Sequence, residues 1–85
     1  MLYRIFTENK NKKKIETLLN KHFEGFTMYN ATGYWKNQSE ESLVIEIEGK
    51  QSINNKVLDL CHKIKLANKQ ESVLLQVINN QSIFV

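Results

Sequence analysis

Residues 25–49 read GFTMYNATGYWKNQSEESLVIEIEG, and the fold turns on how this stretch divides. Its last part alternates: Leu43, Ile45 and Ile47 point one way while Val44, Glu46 and Glu48 point the other, as a half-buried strand requires. Gly49 ends that strand. Residues 26–36 are rich in aromatic and β-branched types and predict a second strand, interrupted near Asn30. The polar run NQSEE, 37–41, predicts the turn between the two. Only three glycines occur in the chain. Gly25 is expected to close a preceding helix in a left-handed conformation, and Gly33 to permit a bulge or a close backbone approach.

Outward from this stretch the pattern changes period. LYRIF, 2–6, is a short β-type run. Ile15, Leu18, Leu19, His22 and Phe23 fall on one helical face, with Thr7 or Asn9 as the expected N-cap and Lys12, Lys13 and Lys21 on the opposite face. Ser52 is the expected N-cap of a second helix, whose inner stripe is Ile53, Val57, Leu60, Cys61 and Ile64, extended by Ala67. NKQES, 68–72, is a turn and VLLQVI, 73–78, a strand. Asn79-Asn80 suits a two-residue hairpin that returns QSIFV, 81–85, as a short fifth strand. The order β-α-β-β-α-β predicts an α+β ferredoxin-like sandwich: an antiparallel sheet, both helices on one face, and one domain over 1–85.

Two helices roof only one side of such a sheet. On the other side the alternation places Leu2, Phe6, Val44, Leu74 and Ile78 among Arg4, Glu46 and Glu48. An apolar patch rimmed by charge marks an interface. A domain of 85 residues buries only about 60% of its unfolded surface and gains much from association. The expectation is therefore a homo-oligomer, dimer or trimer, with these five residues on its contact face.

The stretch Gly25-Phe26-Thr27, then Gly33-Tyr34, then a polar segment and an alternating strand, resembles the second strand of the PII and CutA-like superfamily, and the element order is similar over most of the chain. That resemblance implies a ferredoxin-like fold, a trimer, and a regulatory role exercised through the loop after the second strand. Here the corresponding interaction loop comprises Gly33, Tyr34, Trp35, Lys36, Glu40 and Glu41, and a protein partner is its expected target. One of Tyr34 and Trp35 is expected in the core, the other on a contact surface. The turn NKQES has no glycine, unlike the loop with which PII proteins hold ATP. No cofactor is expected.

Composition narrows the remaining chemistry. The net charge is +3 and the single cysteine excludes an intrachain disulfide. MLYRIFTENK lacks a signal-peptide cleavage pattern and no apolar run reaches membrane-spanning length, so a cytoplasmic, non-membrane protein is expected. Cys61 and His62 are helix neighbours about 100° apart and cannot share a metal or form a nucleophile–base pair. One cysteine and two histidines without ligand spacing make no zinc site. No nucleophile elbow, phosphate loop or dinucleotide fingerprint occurs, so the chain is not expected to be an enzyme. RNA-recognition domains share the element order, but SLVIEIEG has no aromatic and places two glutamates where RNA would lie. The alternative is a nucleic-acid-binding accessory protein that contacts phosphate through Lys12, Lys13 and Lys14 on the first helix.

Overall fold

A computed structural model describes all residues, 1–85. Strand β1 (Leu2–Glu8) is followed by helix α1 (Lys12–His22), strands β2 (Thr27–Trp35) and β3 (Gln38–Glu48), a single 3-10 turn (Gln51–Ile53), helix α2 (Asn54–Asn68) and strand β4 (Leu74–Ile78). The sheet order is β2-β3-β1-β4, with every neighbouring pair antiparallel. This is the ferredoxin-like α+β sandwich that the alternation of β3 and the two helical stripes predict.

Register fixes the core. Tyr3 pairs with Ile47, Ile5 with Ile45 and Thr7 with Leu43 across β1 and β3, all facing the helices. Ile15 and Leu19 of α1 and Val57, Leu60 and Ile64 of α2 close over them. Removing one such side chain costs about 2–5 kcal/mol, because the cavity left behind relaxes only in part. The buried Tyr3 hydroxyl reaches the carbonyl of Lys50 at 3.2 Å and the side-chain oxygen of Asn54, so its polar end is not stranded.

Several local expectations give way to other solutions. The start of α1 is flanked by Asn11, in a left-handed conformation, and neither Thr7 nor Asn9 caps it. Asn11 instead donates its side-chain amide to the Ala67 carbonyl at 3.0 Å and to Asn68 Oδ1 at 3.1 Å, tying the start of α1 to the end of α2. Ser52 lies inside the 3-10 turn, and α2 begins two residues later without a side-chain cap. The first helix ends at His22 with an extended Phe23, so Gly25 has no left-handed role, and no glycine has positive φ.

The predicted fifth strand is absent. Neither Asn79 nor Asn80 adopts the positive φ that a two-residue hairpin needs. Asn80 and Ser82 donate hydrogen bonds to the Glu48 carboxylate at 3.2 and 3.1 Å, which draws the tail across the end of the sheet instead of back along β4. These bonds, that of Asn80 first, hold the Glu48 carboxyl below its ordinary range.

Candidate functional site: the open sheet face and the hairpin arm

The segment expected to be a polar loop is not one. Strand β2 runs without interruption to Trp35 and β3 starts at Gln38, so the connection is Lys36-Asn37 alone. Both turn residues have positive φ, 50° and 65°, the conformation that matches the twist of a two-residue hairpin. Pairing continues through Thr32↔Glu41, Gly33↔Glu40, Tyr34↔Ser39 and Trp35↔Gln38. Strand β1 stops at Glu8, opposite Ser42. The last four pairs therefore form a two-stranded arm beyond the body of the sheet. Gly33 sits in regular register with no bulge; a Cβ there would lie 3.3 Å from Ser42 Oγ, so close approach is its role.

Neither aromatic of the arm is in the core. Tyr34 is 77% exposed and Trp35 73%, against the expectation that one would be buried. The Lys36 ammonium lies 5.8 Å from the Trp35 ring centre. Glu40 and Glu41 are also exposed. A two-stranded ribbon with both faces in water is marginal on its own.

The face turned away from the helices is organised in rows. Tyr29, Val44, Phe6 and Leu74 pair across all four strands in one apolar row. The next row is polar: Arg4 donates to Glu46 at 2.7 Å, flanked by Thr27 and Gln76. The bond to Glu46 holds the Arg4 guanidinium more firmly charged than usual. A third row joins Leu2 and Ile78 to Glu48. The structure thus brings Leu2, Phe6, Val44, Leu74 and Ile78 onto one face. No helix covers it. Alternation carries the face along β2 through Tyr29, Ala31 and Gly33 to Trp35, so the open sheet and one side of the arm are continuous.

No group of three or more His, Cys, Asp or Glu side chains converges as a metal site would require. Cys61 is buried on the inner stripe of α2, where desolvation pushes its thiol up to about 11, and His62 is exposed on the other side. An open groove of about 770 Å³ lies at the sheet end between the α1–β2 connection and the tail, lined by His22, Phe26, Thr27, Glu48 and Phe84 among others. Nothing in the sequence signals this groove, because the tail that supplies Phe84 reads as a strand. No helix is long and apolar enough to cross a membrane.

The element order and sheet topology define a ferredoxin-like α+β domain. Among solved structures, a DUF3240 family protein from Shewanella baltica OS155 superposes with a TM-score of 0.68 at 18% identity, over 98% of this chain and 94% of that one. CPII, a nitrogen regulatory PII-like protein from Thiomonas intermedia K12 solved with ADP, AMP and bicarbonate, gives 0.63 at 15%, over 96% and 93%. A de novo designed protein, Foldit4, gives 0.54 at 18%, over 94% of each chain. The chain matches no protein-family model and no curated protein sequence.

Proposed function

We propose that this chain is a non-enzymatic, self-associating regulatory or interaction module of the PII-like kind. Copies meet through the open sheet face, and the arm offers Tyr34, Trp35, Glu40 and Glu41 to a protein partner. The observation that carries this reading is the unroofed apolar row Tyr29, Val44, Phe6 and Leu74. Val44 is only 2% exposed because Phe6 and Tyr29 flank it, whereas Leu74 is 55% exposed and Tyr29 41%. A second sheet laid on this row would cover that surface, and the neighbouring Arg4–Glu46 pair supplies polar register. The architecture shared with CPII supports the regulatory reading.

A Leu74→Lys variant tests it, because a side chain already exposed in the single chain is replaced with little cost to the fold. Light scattering should show the variant shifted towards the 10.0 kDa chain relative to the native protein at equal concentration. An unchanged assembly mass would remove the sheet face from the interface. A thermal-shift series with adenine nucleotides separates a pure interaction module from a nucleotide sensor, since a ligand at 100 times its Kd stabilises by about 2.7 kcal/mol.

A further inference from the structure

Charge is divided between the two layers. The helices and the segments joining them to the strands carry ten of the twelve Lys and Arg residues and four of the nine acids; the strands and the arm turn carry two and five. The layer opposite the open sheet face is therefore the basic one. Its lysines are not evenly spread.

The helices run antiparallel. Asn11 bonds to Ala67 and Asn68 at one end, and at the other the Lys56 ammonium lies 4.8 Å from the Phe23 ring centre. Lys14 and Lys21 are seven residues apart on α1, and Lys56 and Lys63 are seven apart on α2. A seven-residue step is two turns, so each pair shares a helix side and is separated by about 10 Å along the axis. Lys14 and Lys63 both line an open inter-helix groove of about 320 Å³, with Leu18, Leu66 and Ala67 between them. The same seven-residue step puts Lys21 and Lys56 two turns further along, on the helix sides that carry Lys14 and Lys63. Only Lys63 has an acidic partner, Asp59 at 3.2 Å, and both side chains are exposed. Lys12 instead donates to Asn30 of β2 at 3.3 Å, and Lys13 is exposed and does not line the groove.

We infer that the α1–α2 groove is a nucleic-acid backbone site, in which Lys14, Lys21, Lys56 and Lys63 hold phosphates in two rungs. Between Lys14 and Lys63 the groove is lined by no aromatic and no amide side chain, and the ring beside Lys56, Phe23, is packed against the core, so binding is independent of base sequence. A lipid surface fits less well, because Leu58 and Leu66 of α2 are surrounded by Asn55, Asp59 and His62 and form no continuous apolar face. The site does not depend on self-association. Copies joined through their sheets would nonetheless turn every groove outward.

Fluorescence anisotropy with labelled single-stranded and duplex DNA of random sequence tests the site, against vesicles containing phosphatidylserine. Four phosphate contacts predict that affinity for duplex falls on the order of 100-fold between about 50 and 200 mM salt. Lys14→Gln with Lys63→Gln should weaken binding about tenfold at the lower salt and flatten the salt dependence by about two contacts. The charge-matched pair Lys13→Gln with Lys65→Gln, off the groove, should change it far less. Circular dichroism of both variants checks the fold. No binding at low salt, equal losses for the two pairs, or binding to the vesicles alone would each overturn the assignment.

Discussion

The side-chain amide of Asn68 donates to the Thr7 hydroxyl at 3.2 Å, joining the end of α2 to β1 across 61 residues of sequence. Both residues are buried. The Thr7 hydroxyl donates in turn to Gln70 Oε1 at 2.7 Å, and Asn68 reaches the same oxygen at 2.8 Å. Asn11 adds the start of α1. This polar knot fixes where both helices and the α2–β4 connection meet the sheet. Asn68→Ala should destabilise by about 1–3 kcal/mol in urea unfolding, because Thr7 and Asn11 lose a partner in a buried setting. Combined with Thr7→Val it should cost less than the sum of the two single changes, since each removes the same bond.

The glycines separate cleanly. A Cβ on Gly25 meets nothing within 4 Å, and its φ is not positive, so Gly25→Ala should be neutral or stabilise by up to about 1 kcal/mol by restricting the unfolded chain. A Cβ on Gly49 would run into the Ile53 side chain at the 3-10 turn, so Gly49→Ala should destabilise. Thermal melts of the two variants should move in opposite directions, or only the second should move.

Cys61 is silent chemistry. Burial alone raises its thiol to about 11. A thiol whose folded pKa lies above the unfolded value of about 8.5 contributes stability that is fully present below that value and is lost as pH rises towards about 11. Alkylation followed by mass spectrometry at mildly alkaline pH should be slow in the folded protein and fast in urea. Rapid labelling of the folded chain would place the thiol at the surface.

Trp35 is the only tryptophan and stands at the arm. Its emission in the dilute protein should be that of a solvated indole, and should shift to the blue when a partner or a second copy covers the arm. Trp35→Ser should alter folding stability by less than about 0.5 kcal/mol, as expected for a surface side chain free of packing. A large loss would mean that the ring is packed in the isolated chain.

How legible this fold was depended on which force set each element. The alternation in LVIEIE and the stripes Ile15–Leu19 and Val57–Leu60–Ile64 are burial signals, and burial placed these elements as the pattern predicts. The open face was legible for the same reason, because register follows from alternation once the strands are aligned. The arm was not. QSEES has weak β-propensity, and it becomes strand through pairing with β2 across a Lys36-Asn37 turn that lacks the usual glycine. The caps failed because α1 begins only at Lys12, after a left-handed Asn11, and Ser52 is drawn into the 3-10 turn before α2. Thr7 reads as a helix cap and Asn68 as the first residue of a turn, and only the tertiary fold shows that each is the partner of the other. The tail was misread because the apolar Ile83, Phe84 and Val85 suggest a strand, whereas the Glu48 bonds of Asn80 and Ser82 decide its course.

Sedimentation equilibrium of the native protein across a dilution series tests the proposed assembly most directly. The open row of Tyr29, Val44, Phe6 and Leu74 predicts a mass that is a multiple of 10.0 kDa at micromolar concentration. A constant mass of one chain up to high micromolar concentration would contradict it.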